Sequence, residues 1–146
     1  MLLIKTAPPS NKMVVNVGTW FWVPRAVWKS VSVTAYIPTS VGPISVTTTA
    51  VPTSLIYSPG DGQKPVTCSG PGTPWSQSRG DNDTSDCMYT YASASHTKAS
   101  GTYDANTAIK WTVSWRSNLG IGGLLPSIRT GLTTPVRVLE MQALSR

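Results

Sequence analysis

Charge is scarce in this chain of 146 residues. Twelve Lys and Arg and six Asp and Glu make up 12% of it, against about 25% in an ordinary globular domain. Acidic groups and imidazole are scarcer still, with His96 the only histidine. With no Gly-x-Ser-x-Gly, nothing supplies a nucleophile, a base and a group to orient the base. Asp61 and Asp104 are the one carboxylate pair worth weighing as a glycosidase couple, and nothing in the sequence sets them across a cleft. Gly120-Ile-Gly-Gly123 lacks the lysine and the following helix of a phosphate-binding loop. The expectation is a protein that is not an enzyme.

Long apolar runs are missing too. Met1-Leu-Leu-Ile4 is far too short for a membrane span or the core of a signal peptide. No transmembrane segment is expected, and the signal of an exported protein is expected to lie outside this sequence. Helical periodicity is absent except for a short candidate at Leu139–Leu144.

What the chain does have is Thr, Val, six Trp, and twelve each of Gly and Pro. Disordered chains are poor in aromatics, so the tryptophans argue for a packed core. The clearest stretch is Ala108–Arg116. Ile109, Trp111, Val113 and Trp115 point one way, and Lys110, Thr112, Ser114 and Arg116 the other. This alternation predicts a strand with one dry face, and two Trp on that face call for a second sheet over them. Further strands are predicted at Met13–Val17, Ser30–Tyr36, Ile44–Ala50, Thr53–Tyr57, Pro65–Cys68, Cys87–Tyr91 and Ile128–Leu139. The aromatic run Gly18–Pro24 breaks alternation, so that both its faces are covered or one is a contact surface. Ser30–Tyr36 alternates cleanly, with Val31, Val33 and Ala35 on one side. Strands at this spacing, separated by Gly/Pro turns, predict an all-β two-sheet sandwich. Residues 1–12, with Pro8 and Pro9, read as a flexible arm, and residues 13–146 as a single domain.

The net charge is +6 and the pI about 9.6. The cations are scattered without a run, which argues against a nucleic-acid surface and leaves weak adhesion to polyanions or an anionic cell wall.

Cys68 and Cys87, 19 positions apart, sit in no C-x-x-C, and one His cannot complete a four-ligand zinc site with them. They read as a disulfide tying off the Ser69–Asp86 loop, which implies an oxidising compartment. Two unpaired thiols are the alternative. Trp20, Trp22, Trp28 and Trp75 are candidate contact residues, since exposed Trp stacks on sugar faces or anchors protein interfaces. Core packing is their competing role. Arg79-Gly-Asp81 and Asn82-Asp-Thr84 match an adhesion tripeptide and a glycosylation sequon, both short enough to arise by chance.

Tyr57-Ser-Pro-Gly-Asp-Gly62, then Tyr89-Thr-Tyr91, then Gly101-Thr-Tyr103 before the long alternating strand, resembles a PKD domain. That family has a W-D-x-G-D-G turn, an H-x-Y strand start, and a G-x-Y before a V-x-L-x-V strand. Gly60, Asp61, Gly62 and Tyr91 match, while Tyr57, Ser58 and Tyr89 replace Trp, Asp and His. The Cys68…Gly-Pro-Gly-Thr-Pro-Trp75…Cys87 insert also resembles a subgroup of exported, disulfide-containing proteins of high-GC Gram-positive bacteria. The resemblance covers about residues 30–140 and implies an immunoglobulin-like sandwich at the cell surface. Some PKD domains bind calcium, and Asp81, Asp83 and Asp86 carry suitable hard oxygens; a solvated acidic loop is the alternative, and no cofactor is otherwise expected. Asp61 is expected to hold its own turn by accepting backbone N–H bonds. The function expected is that of an extracellular spacer or protein-interaction and adhesion unit, in a cell-surface assembly. It would self-associate through edge strands or the N-terminal arm. A carbohydrate or cell-wall module using the tryptophans is the alternative.

Overall fold

A computed structural model describes residues 4–78 and 83–140, and the fold is all-β. The strands are β1 (Lys5–Ala7), β2 (Met13–Val14), β3 (Gly18–Trp22), β4 (Val31–Ile37), β5 (Ile44–Ser58), β6 (Val66–Cys68), β7 (Met88–Thr90), β8 (Tyr103–Ser117), β9 (Gly122–Val136) and β10 (Val138–Leu139). One turn of 3-10 helix, Ser95–Thr97, precedes β8. Among the described residues no helix is long and apolar enough to cross a membrane. Of the helix candidate Leu139–Leu144, Leu139 belongs to β10 and residues 141–144 lie outside the described residues.

The frame is a sheet ordered β4-β5-β8-β9, with β6 added to the lower end of β5. Three of its strands run for 15 residues, roughly 50 Å each at the usual rise per residue. A smaller sheet, β1-β3-β7, packs across the lower half alone, and β2 and β10 form a parallel pair beside it. The layers meet where Phe21 of β3 stacks on Tyr57 of β5, ring centroids 4.7 Å apart. Leu55, Tyr57, Ile109, Tyr91, Phe21 and Met13 are buried there. A disulfide joins Cys68 to Cys87, with Cα atoms 5.6 Å apart, so the expected pairing is present.

Three expectations need correction. Ile44–Ala50 and Thr53–Tyr57 are one strand, not two. Thr53 forms a bulge, where the pairing with β8 jumps from Pro52↔Trp111 to Ser54↔Lys110. An extra residue reverses the alternation, so even-numbered Val46, Ala50 and Pro52 above and odd-numbered Leu55 and Tyr57 below all face the same side. Pro52 fits here because a bulge tolerates a residue without a backbone N–H. Secondly, the second layer does not reach both tryptophans of the long strand. Ile109 is fully buried, whereas Trp111 and Trp115 are only partly covered. Thirdly, the arm is not free along its length. Lys5, Thr6 and Ala7 pair with Trp22, Phe21 and Trp20, and the Ser10 carbonyl accepts the Arg137 N–H at 2.7 Å. Backbone hydrogen bonding to the open edge of β3 overrides the Pro-rich composition that follows it.

Candidate functional site

Two arrangements stand out, one closed and one open. The closed one is built on the Ser58–Gly62 turn. Gly60 and Gly62 adopt φ of +82° and +89°, a region that residues with a Cβ resist. The Asp61 carboxylate accepts the Gln63 N–H at 3.1 Å, as expected, and also the Tyr89 hydroxyl at 2.5 Å. Beneath the turn, Tyr91 donates to the Pro59 carbonyl at 2.9 Å and lies 2.7 Å from the Tyr57 hydroxyl. Tyr91 stacks on Tyr103, whose hydroxyl donates to the Ser93 and Ala94 carbonyls. Burial pushes the Tyr57 hydroxyl up to about 12. Burial also raises Tyr91, and burial together with the Asp61 carboxylate raises Tyr89. These residues therefore stay protonated and hold hydrogen bonds. Asp61, Gly60, Gly62 and Tyr91 form a turn anchor, with the Asp61 carboxylate engaged by Gln63 and Tyr89 and the Tyr91 hydroxyl by Pro59 and Tyr57.

The open arrangement is the upper half of the long sheet. Residues paired across antiparallel strands share a face, so the registers define rows on the side that continues the core. Pro52, Trp111 and Ile128 make one row, and Val31, Ala50, Val113 and Leu125 the next. Val33, Thr48, Trp115 and Gly123 follow, then Ala35, Val46 and Ser117. A second bulge, at Pro126 and Ser127 of β9, keeps both Leu125 and Ile128 on this side. Its outer strands are open, with Val33 68% exposed, Val31 55% and Ile128 49%, whereas Pro52, Val113 and Ser117 on the central strands are buried.

The reverse side is a different surface. Ser32 and Thr49 hydroxyls pair at 2.9 Å, and Thr34 and Thr47 at 2.8 Å. The upper sheet's cations, Lys110, Arg116 and Arg129, alternate onto this side as well. Asn118 clamps the two hairpins at the tip, accepting the Ser45 N–H and donating to the Pro43 carbonyl, both at 3.1 Å.

The candidate contact tryptophans separate. Trp20 and Trp22 are buried, at 4% and 8% exposure, so they are not an open platform. The disulfide loop crosses Trp22, with Pro71 accepting the Val23 N–H and Gly72 seated against the Trp22 backbone. Both faces of β3 are thus covered by the chain itself. Trp28 packs on the edge of the core. Trp75 keeps 37% exposure, at an apolar groove of about 580 Å³ shared with Pro8, Pro9, Trp20 and Met88.

Of the candidate calcium ligands, Asp83 and Asp86 are exposed, and Asp81 lies outside the described residues, as does the Arg79–Asp81 tripeptide. Among the described residues, no three His, Cys, Asp or Glu side chains come together as a metal site. No family model, curated protein or solved structure matches the chain.

The upper sheet face was only half visible in the sequence. The alternation of Val31, Val33 and Ala35 gave one strand of it. The two bulges that align the other strands carry no period of their own.

Proposed function

We propose that the chain is a non-catalytic extracellular module of PKD-like, immunoglobulin type. It serves as a spacer and protein-interaction unit in a cell-surface assembly, and the upper half of its long sheet is the interacting element. The observation that carries this reading is the apolar face on which Val31, Val33, Leu125 and Ile128 stay exposed on either side of the buried Val113. Contiguous exposed apolar patches on soluble domains mark contact sites. Export is supported by the Cys68–Cys87 disulfide, a bond that persists in oxidising compartments.

The test is fractionation of an expressing high-GC Gram-positive host, with quantitative immunoblotting of wild type and of Val33→Lys with Leu125→Lys. The wild type is expected at the cell surface, oxidised, and the double variant released to the medium at least tenfold more. A reduced cytosolic chain, or equal retention of both, overturns the reading.

A second reading, a glycan-binding module, is favoured by one feature, Trp75 at the lip of its groove. Tryptophan fluorescence titrated with cell-wall fragments tests it; an unchanged spectrum in wild type removes it.

A further inference from the structure

The long sheet has the makings of a sandwich along its whole length, yet the described residues supply a second layer for half of it. Both bulges lie where the covered half ends, at Pro52–Ser54 in β5 and between Leu125 and Ile128 in β9. Each adds the residue needed to keep apolar side chains on the core side beyond that point. Because a one-residue slip turns every side chain to the other face, a sheet meant to be wet on both sides would not need either bulge. The upper apolar face is a continuation of the core.

From these features we infer that the missing layer is a second copy of this chain, with the two upper faces packed against each other about a two-fold axis. The face carries no charged residue, and the upper sheet's three cations all lie on the reverse. Two copies of a chain with net charge +6 can therefore meet here without setting like charges opposite one another. A charged partner or an anionic bilayer surface would find its complement on the other side. Four strands at about 4.8 Å and seven residues at about 3.4 Å give a flat footprint of roughly 450 Å² per copy. A pair removes about 900 Å² in flat projection, and side-chain relief adds to it, toward the roughly 1,200 Å² at which specific interfaces begin. Sheets pack face to face at about 10 Å with strands within about 30° of parallel. In that geometry each copy closes the other's open half, with Trp115, Val33 and Leu125 at the centre.

The homodimer rests on the reading of the upper sheet as the interacting element. Sedimentation velocity across about 1 to 100 μM, where micromolar interfaces titrate, tests it on wild type, Val33→Lys, Leu125→Lys and Tyr36→Lys. Tyr36 is on the hydroxyl side of β4, opposite Val33. The expected result is a wild-type dimer, a dissociation constant raised at least tenfold by either Val33→Lys or Leu125→Lys, and no change with Tyr36→Lys. The two lysine variants lie on different hairpins, so misfolding of one leaves the other as the test. A wild type that stays monomeric overturns the inference, whether or not it binds vesicles of anionic lipid. So does a dimer that survives both lysines, which would point to pairing of edge strands. A monomer whose surface retention still falls with Val33→Lys and Leu125→Lys overturns the homodimer and leaves the interaction module standing. A dimer through this face with unchanged retention does the reverse.

Discussion

The hydroxyl of Tyr91 is shared between Tyr57, 2.7 Å away, and the Pro59 carbonyl at 2.9 Å. A phenol has one proton. Since the Pro59 carbonyl can only accept, Tyr91 donates to it and Tyr57 donates to Tyr91. The two tyrosines come from different layers, β5 and the end of β7, so this short chain ties the sheets together beneath the turn.

Removal of either hydroxyl is therefore not equivalent. Tyr91→Phe leaves a buried carbonyl without a donor and Tyr57 without an acceptor, a cost of about 1–3 kcal/mol for the unsatisfied groups. Tyr57→Phe keeps the bond to Pro59 and costs about 1 kcal/mol or less. At about 2–4 °C of melting temperature per kcal/mol for a chain of this size, calorimetry separates the two variants. Equal losses would show that the proton order is wrong.

The same cluster sets the alkaline limit. Burial raises Tyr57 from 10.0 in the unfolded chain to about 12 in the fold, and Tyr91 rises for the same cause. Below pH 10 both states hold the proton and the stability is fully present. Above it the unfolded state releases protons that the native state keeps, so stability falls as pH rises. Tyr57 alone accounts for about 2–3 kcal/mol lost between pH 10 and pH 12. Urea unfolding at stepped pH should show this loss, with tyrosinate absorbance rising together with unfolding. Tyr57→Phe should flatten the slope.

These tyrosines were legible before the structure, because Tyr-x-Tyr and Gly-Asp-Gly are local patterns with local causes. So were the Trp111–Trp115 alternation and the cysteine pair. What was not legible depends on distant partners. Val51 and Pro52 looked like a break between strands, since a bulge is recognised only by the neighbour it shifts against. Trp20 and Trp22 looked like a possible platform, because coverage by Pro71 and Gly72 is set by the path of a loop some 50 residues away. The open upper face is invisible for a related reason: alternation shows which side is dry and says nothing of whether one chain supplies the cover.

The two glycines of the turn should differ when substituted. At Gly60 a Cβ would fall inside the van der Waals radius of the Asp104 backbone carbonyl, while at Gly62 it meets nothing within 4 Å. Both have positive φ, worth about 1–2 kcal/mol against an L-residue. Gly62→Ala should cost about that, and Gly60→Ala at least about 3 kcal/mol, because backbone must move as well. Chemical denaturation measures both; equal midpoints would mean that β8 yields freely at Asp104.

Loss of the Cys68–Cys87 bond should destabilise by about 3 kcal/mol, from the entropy regained by a loop of that length in the unfolded chain. The bond joins β6 of the large sheet to the residue just before β7 of the small one, so the layers themselves are linked. Cys68→Ser with Cys87→Ser should melt about 6–12 °C below wild type. A reductant should bring wild type to the same point. If reduction leaves the melting temperature unchanged, the cystine does not constrain the unfolded chain.

One buried polar group has no visible partner. Thr19 is fully buried on the core side of β3, and its hydroxyl finds no hydrogen bond among the described residues. An unsatisfied hydroxyl in an apolar site costs about 1–3 kcal/mol by mutational measures. Valine has the same branched shape with a methyl in its place, and β-branched residues suit a strand. Thr19→Val should therefore stabilise the protein by about 1 kcal/mol or more, raising the melting temperature by at least about 2–4 °C. Thr19→Ser separates the two contributions: it keeps the unpaired hydroxyl, loses the methyl, and should destabilise. If valine lowers the melting temperature, the hydroxyl has a partner in solution that holds β3 in place.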